Sequence, residues 1–78
     1  MMNALVYTQS EKLYKRLART LLPRFKGQIV AIEPKSRQYV VGKDELDVAL
    51  EAQSKFPGKT FGFFRVGYPA VHKVRKIA

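Results

Sequence analysis

The stretch that decides the fold is residues 27–42, which read Gly-Gln-Ile-Val-Ala-Ile-Glu-Pro-Lys-Ser-Arg-Gln-Tyr-Val-Val-Gly. Its first half is rich in β-branched residues and predicts a strand. Residues 33–36 have the composition of a turn, with Pro34 at the position whose φ angle proline presets. Residues 38–41 are again apolar and aromatic, so they predict a second strand that Gly42 closes. The stretch therefore predicts an antiparallel β-hairpin.

A helix is predicted before this hairpin, over residues 10–22. Ser10 has the residue type of an N-cap, and Pro23 is expected to end the helix because proline cannot continue the backbone hydrogen-bond ladder. Apolar residues recur at helical spacing along one side; they are Leu13, Tyr14, Leu17, Ala18 and Leu21. The opposite side carries four cations, Lys12, Lys15, Arg16 and Arg19. The segment is predicted to be a basic amphipathic helix.

A second helix and a third strand are predicted after the hairpin. Asp44 has the residue type of an N-cap, and Glu51 and Lys55 are spaced as an i,i+4 ion pair. The buried side of this helix is expected to consist of Leu46, Ala49, Leu50 and Phe56. Pro-Gly at residues 57–58 ends the helix, and the aromatic residues 60–66 predict a strand.

This order, α-β-β-α-β, predicts a single α+β domain over residues 1–78. We expect a small antiparallel or mixed sheet of three to four strands with both helices on one face. If residues 4–8 form a strand, the order becomes βαββαβ, the ferredoxin-like pattern. Residues 1–9 and 70–78 are expected to be flexible ends, although residues 71–77 fit a short edge strand as well as a basic tail.

The positive charge of the chain lies in its two ends. Residues 1–30 contain six Lys or Arg and one Glu, and residues 57–78 contain five Lys or Arg and no acid, so each carries a net +5. The residues between them carry −1. This distribution predicts a folded module that offers cationic surface to an anionic partner.

The composition also restricts the class of protein. The chain has no cysteine, which excludes disulfides and thiolate metal sites and fits a cytoplasmic location. No apolar run approaches the roughly 18 residues of a membrane span, so no membrane partner is expected.

Catalytic signals are weak. His72 is the single histidine; among cations it suits a metal-independent ribonuclease, but nothing supplies an orienting carboxylate. Glu-Pro-Lys at residues 33–35 has the spacing of metal-dependent nucleases, and a turn explains it better. The acids of residues 44–47 are explained by helix capping. We expect no enzyme and no cofactor.

Nucleic-acid binding has more support. Residues 59–66, Lys-Thr-Phe-Gly-Phe-Phe-Arg-Val, partly resemble the longer ribonucleoprotein motif of RNA-recognition domains, whose aromatic rings stack on bases. Here the motif follows the second helix instead of preceding it, and the alternative is that Phe61 and Phe63 pack under a helix or at a dimer contact. The candidate nucleic-acid-binding residues are Lys12, Lys15, Arg16, Arg19, Arg37, Tyr39, Phe61, Phe63, Arg65, Lys73, Arg75 and Lys76.

About two thirds of the chain resembles a group of short, poorly characterised bacterial proteins. The matching pieces are residues 27–32, 42–49, 56–59 and 65–68. Members often look like the smaller partner of a two-gene unit, beside a retropepsin-like protease or a toxin-like nuclease. The order of hairpin and helix is also similar in outline to HicB-type antitoxins, without their DNA-binding domain. The resemblance implies a partner-binding role and transfers no functional residues.

The leading expectation is therefore a small binding module, antitoxin-like or an accessory subunit, that holds a protein partner and uses its basic flanks for nucleic acid. A homodimer would form through a sheet edge or the aromatic face. The alternative is an RNA- or single-strand-binding protein whose sheet face combines Phe61, Phe63 and Tyr39 with Arg37 and Arg65. The third is the ribonuclease that uses His72.

Overall fold

The computed structural model describes the backbone of residues 3–68 and 73–76 and the side chains of residues 8–68. The elements are α1 (Asn3–Phe25), β1 (Ile29–Glu33), β2 (Gln38–Gly42), α2 (Glu45–Lys55), β3 (Thr60–Arg65) and β4 (Lys73–Lys76). The strands form one antiparallel sheet in the order β2-β1-β3-β4. The α+β class, the order α-β-β-α-β and the hairpin are confirmed. Of the two alternatives for the C-terminal stretch, residues 73–76 form an edge strand.

The two helices pack on opposite faces of the sheet, so the prediction that both lie on one face is wrong. Val30 and Ile32 of β1 belong to the cluster beneath α1, whereas Ile29 and Ala31 belong to the cluster beneath α2. Every residue of β1 is buried. A strand that is covered on both faces is apolar at consecutive positions instead of alternate ones, which is the physical reason for the unbroken apolar run in β1.

α1 is longer at both ends than predicted. It begins at Asn3, so residues 4–8 are helical and the ferredoxin-like alternative is wrong. Ser10 is a buried residue inside the helix and not its N-cap. Pro23 lies inside the helix, which ends at Phe25. Phe25 packs against the apolar cluster beneath α1, and its carbonyl accepts the Gln28 N–H at 2.9 Å, so the last turn is held beyond the proline.

α2 is capped and paired as predicted. The Asp44 side chain accepts a hydrogen bond from the Asp47 N–H at 2.9 Å, which confirms it as the N-cap. The Lys55 ammonium lies 2.9 Å from the Glu51 carboxylate. Both contacts are on the surface, so they favour the helix locally by a few tenths to about 1 kcal/mol each.

The buried side of α2 differs from the prediction. Leu46 and Leu50 are 67% and 55% exposed, and the residues that face the sheet are the smaller Val48, Ala49 and Ala52. The helix lies too close to β2 for large side chains, because a Cβ atom on Gly42 would lie 2.7 Å from Cγ2 of Val48. The prediction is confirmed for Ala49, which is buried, and for Phe56, which packs against the same cluster, and it is wrong for Leu46 and Leu50.

α1 contacts β3 through a close approach at Gly62. A Cβ atom there would lie 2.6 Å from Cβ of Ser10 and 2.8 Å from its Oγ. One turn farther along α1, the Tyr14 ring stacks on Phe64 with 4.7 Å between the ring centroids. The Tyr14 hydroxyl lies 2.7 Å from the Arg65 carbonyl oxygen. These contacts fix the orientation of α1 and so determine which of its residues face outward.

Candidate nucleic-acid interface

The outward side of α1 carries four exposed cations, Lys12, Lys15, Arg16 and Arg19, which we call the α1 cationic face. They are neighbours at i,i+3 and i,i+4 spacing, and the first and last lie about 10 Å apart along the helix axis. Among the residues that the structure describes, none of these four cations forms an ion pair. The prediction that they share one surface is confirmed.

This arrangement works against the stability of the helix. Lys12 and Arg16 are a like-charge i,i+4 pair, and so are Lys15 and Arg19. Each such pair destabilises a helix by roughly 0.2–0.5 kcal/mol. An anionic ligand would relieve this repulsion.

The acids lie mainly on the other side of the molecule. Four of the six belong to α2 or its N-cap: Asp44, Glu45, Asp47 and Glu51. Because α1 and α2 cover opposite faces of the sheet, the fold separates the cations of α1 from these carboxylates. The +9 charge of the chain is therefore unevenly distributed, and α1 presents the cationic side.

A cleft of about 250 Å³ lies between α1 and the β1–β2 turn. Its walls combine cationic, amide and apolar side chains: Gln9, Lys12, Leu13 and Arg16 from the helix, and Pro34 and Arg37 from the turn. The cleft thus joins Arg37 to two members of the α1 cationic face. No carboxylate is among these lining residues, and a concave surface lined by one sign of charge concentrates the potential.

Glu33 holds the turn in place from a buried position. Its carboxylate accepts hydrogen bonds from the Lys35 N–H at 3.1 Å, the Ser36 N–H at 2.8 Å and the Ser36 hydroxyl at 2.6 Å. Burial raises the pKa of Glu33, but these hydrogen bonds and the nearby Lys59 charge outweigh it, so the pKa lies below its ordinary value. Glu33 is therefore a structural carboxylate of the turn.

Because the Glu33 carboxylate is hydrogen-bonded within the turn, its role there is structural, and this concerns the metal-dependent nuclease alternative. The Glu-Pro-Lys triplet forms the turn that the sequence favoured. In the part of the chain that the structure describes, no group of three or more His, Cys, Asp or Glu side chains is placed to hold a metal ion.

Arg37 has an unusual backbone conformation. Its φ angle is +63°, in the left-handed region that disfavours residues other than glycine, asparagine and aspartate. The Arg37 N–H donates to the Glu33 carbonyl oxygen at 2.9 Å, so the same residue that anchors the turn also fixes Arg37. An arginine is held where a glycine would be less strained.

Tyr39 lies on the same side of the sheet as α1. The next residue but one, Val41, packs against the cluster beneath α1, and alternate residues of a strand share a face. The Tyr39 side chain is 42% exposed. It is the aromatic candidate whose ring is accessible on the cationic side of the molecule.

Phe61 and Phe63 are buried, which contradicts their predicted role. They are 0% and 2% exposed and belong to the cluster beneath α2. Neither ring is available to stack on a base or to form a dimer contact, and the packing alternative is confirmed. Gly62, which completes the resemblance to the ribonucleoprotein motif, is explained by the close approach of Ser10.

Of the remaining candidates, Arg65 does not line the cleft. Arg65 is exposed at the end of β3 and donates a hydrogen bond to the Gly27 carbonyl oxygen at 2.8 Å. Lys73, Arg75 and Lys76 lie on edge strand β4, but their side chains are outside the described part of the structure. His72 also lies outside the described residues.

Three lining residues of the cleft were not predicted from the sequence: Gln9, Leu13 and Pro34. Gln9, Lys12, Leu13 and Arg16 follow the i, i+3, i+4, i+7 pattern of one helix side, which was a usable signal. The turn that completes the cleft is about twenty residues away in sequence, so its position depends on the tertiary fold.

Comparisons with protein-family models, with curated proteins and with solved structures found no match to this chain. Within the residues that the structure describes, no helix combines the length and the apolar character that a membrane crossing requires.

Proposed function

We propose that this protein is a non-enzymatic binding module that holds nucleic acid through contacts between the α1 cationic face and backbone phosphates. The observation that supports this most is the set of four exposed cations on α1, none of which is ion-paired among the described residues. Each neutralised phosphate adds to an affinity that falls as the salt concentration rises.

The packing of α1 favours nucleic acid over a lipid surface as the anionic partner. A helix that lies in a membrane interface inserts its apolar side among the lipids. The apolar side of α1 is occupied instead, since Tyr14 and Leu21 are buried against the sheet. Among the α1 residues whose side chains are described, the accessible side is mainly polar, and it suits the regularly spaced charges of a nucleic-acid backbone.

The experiment that tests this proposal compares two charge-matched variants by fluorescence anisotropy with labelled RNA and DNA near physiological salt. The first carries Lys15→Gln and Arg19→Gln, on α1 and outside the cleft. The second carries Lys43→Gln, just before the N-cap of α2, and Lys55→Gln, at the end of α2. Both remove two positive charges from exposed positions.

We expect the α1 variant to bind at least about tenfold more weakly than wild type and the α2 variant to change far less. Equal losses would mean that net charge alone attracts the nucleic acid, and an absence of binding by the wild type would refute the proposal.

A second candidate function, binding of a protein partner, is supported by α2. Leu46 and Leu50 lie one turn apart and are more than half exposed, and Asp47 and Glu51 lie beside them on the helix. Large apolar side chains are informative when they form an exposed patch. The complementary partner would have an apolar groove bordered by cations.

This candidate is tested by co-expression with the product of the neighbouring gene, which the resemblance to two-gene units suggests. Leu46→Gln with Leu50→Gln should leave the fold intact, because both side chains are already exposed, and should abolish co-purification. Leu22→Gln serves as a control, since it changes a 38% exposed leucine on α1. Equal co-purification by wild type and by the Leu46→Gln plus Leu50→Gln variant would exclude this surface.

A further inference from the structure

We propose that the cleft between α1 and the β1–β2 turn is a subsite for one unpaired nucleotide, and that the protein therefore prefers single-stranded to duplex nucleic acid. This inference rests on the proposed function and narrows it to a class of nucleic acid. The phosphate would lie among Lys12, Arg16 and Arg37, and the base would cover Leu13, Pro34 and the exposed ring of Tyr39.

The first argument is the convergence of charge. Lys12 and Arg16 come from α1, and Arg37 comes from a turn more than twenty residues later, yet all three line the same concave surface. No carboxylate lines the cleft, so their charges are not neutralised by the cleft itself. A single phosphate placed there would accept charge-assisted hydrogen bonds from two different elements.

The second argument is the rigidity of the turn. The side-chain carboxylate of Glu33 accepts hydrogen bonds from the backbone N–H groups of Lys35 and Ser36, and the backbone carbonyl of Glu33 accepts one from the Arg37 N–H. Strained backbone conformations persist where the surroundings impose them, and they occur often at ligand sites. Here the φ angle of +63° belongs to a residue that lines the cleft, so the backbone position from which the Arg37 side chain extends is set before a ligand binds.

The third argument is size. The cleft measures about 250 Å³, below the roughly 300–1,000 Å³ of pockets that enclose drug-sized ligands. It is large enough for a phosphate and part of its nucleoside, with the rest of the strand outside. The α1 cationic face continues from the cleft through Lys15 and Arg19, in position to contact neighbouring phosphates.

The fourth argument is the apolar part of the surface, which distinguishes single strands from duplexes. Leu13 and Pro34 line the cleft beside the cations, and Tyr39 of β2, two residues after Arg37, exposes its ring on the same side of the sheet as α1. In a duplex the bases are paired and stacked inside the helix, so only phosphate and sugar would reach these side chains. An unpaired base is free to stack on tyrosine, as in other single-strand-binding proteins.

The experiment measures anisotropy of single-stranded RNA, single-stranded DNA and a duplex of the same sequence at one fixed salt concentration. The subsite variants are Arg37→Gly, in the lining of the cleft, and Tyr39→Val, outside that lining. Glycine suits the left-handed backbone of residue 37, and valine suits a strand. Each has a matched control elsewhere on the surface. Lys43→Gln removes one exposed positive charge, and Tyr68→Val removes a tyrosine that is 50% exposed.

We expect wild type to prefer a single strand by about tenfold or more, and Arg37→Gly and Tyr39→Val each to weaken single-strand binding by about tenfold. Tyr39→Val should have little effect on the duplex, because it removes a ring that stacks on an unpaired base and no positive charge. The two controls should bind like wild type. Arg37→Gly should also unfold at the same or a higher urea concentration than wild type, because it removes backbone strain. That result would show that the lost binding is not caused by lost folding.

Two results would overturn this inference while leaving the proposed function in place. One is equal affinity for single strand and duplex, with Lys15→Gln plus Arg19→Gln weakening both. The other is a single-strand preference that Arg37→Gly and Tyr39→Val leave unchanged. If wild type binds none of the three nucleic acids, the proposed function itself fails and this inference fails with it.

Discussion

Replacing Gly62 by alanine is expected to destabilise the fold, because α1 packs against β3 at Gly62 without room for a side chain. The new methyl carbon would lie 2.6 Å from Cβ of Ser10, 2.8 Å from its Oγ and 3.1 Å from Cε1 of Phe64. Two of these distances are below 3.0 Å, which Cβ atoms in proteins essentially never show. The helix or the strand must therefore shift.

The expected size of this effect follows from two opposing terms. Overpacking a filled core costs about 1–3 kcal/mol. Alanine is favoured over glycine in a strand by about 0.5–1 kcal/mol, because glycine loses more backbone entropy on folding. We therefore expect Gly62→Ala to lower the free energy of unfolding by about 1–2 kcal/mol. With a urea m-value of about 1 kcal/mol/M for a small domain, the midpoint falls by about 1–2 M.

The assay is urea unfolding followed by circular dichroism, with a double-mutant cycle as the control. Ser10→Gly removes the two atoms that the new methyl group would meet below 3.0 Å. Alone it costs about 0.5 kcal/mol through its lower helix propensity, and it also removes the hydrogen bond that the buried Ser10 hydroxyl donates to the Ile32 carbonyl oxygen at 3.5 Å. In the double variant the two losses should not add, because the clash is gone. If Gly62→Ala is as stable as wild type, or if the losses add, the argument for close packing at Gly62 is refuted.

Three further predictions concern Tyr14, which packs α1 on the sheet, Glu33, which stabilises the β1–β2 turn, and Leu50, on the surface of α2. Tyr14→Phe removes the hydroxyl that donates toward the Arg65 carbonyl and should cost about 1 kcal/mol in urea unfolding; an unchanged midpoint would contradict this. The lowered pKa of Glu33 means that its stabilisation is complete above the unfolded-state pKa of about 4.3 and is lost as the pH falls through the folded-state value. The stability advantage of wild type over Glu33→Gln should therefore shrink below about pH 5, and an advantage that stays constant down to acid pH would count against the carboxylate as its source. Leu50→Gln should change the free energy of unfolding by less than about 0.5 kcal/mol. A loss of about 2 kcal/mol or more, typical of a core leucine, would show that the residue is buried.

The sequence was sufficient to predict the class, the hairpin and both helices, because these depend on local signals. The β-branched run of β1, the turn at Pro34 and the N-cap at Asp44 all act within a few residues. Along β3 the side chains alternate as in any strand, with Phe61 and Phe63 on one face and Phe64 on the other. What the alternation did not reveal is that both faces are covered.

The placement of the helices required information that local signals do not carry. The unbroken apolar run in β1 was available as a sign of a strand buried on both faces, and it was interpreted only as a strand. Leu46 and Leu50 have the size expected of core residues, but the close approach of α2 at Gly42 leaves room only for small side chains there. Steric fit between distant segments decided the outcome in this case.

The candidate site was predicted in part for the same reason. The cations of α1 share a helix side, so their grouping follows from helical spacing alone. Arg37 was selected together with the aromatic residues of the sheet, whereas the structure groups it with Lys12 and Arg16. The grouping of Arg37 with Lys12 and Arg16 depends on which face of the sheet α1 covers. The sequence was interpreted with both helices on one face, which is wrong.

The measurement that tests the central claim most directly is the salt dependence of nucleic-acid binding for wild type and for Lys15→Gln plus Arg19→Gln. If the α1 cationic face contacts backbone phosphates, the slope of log K against log salt should decrease in magnitude by about 1.4 on a single strand, or about 1.8 on a duplex, because two phosphate contacts are lost. A slope equal to that of wild type would contradict the account, because it would mean that these cations do not contact the phosphates.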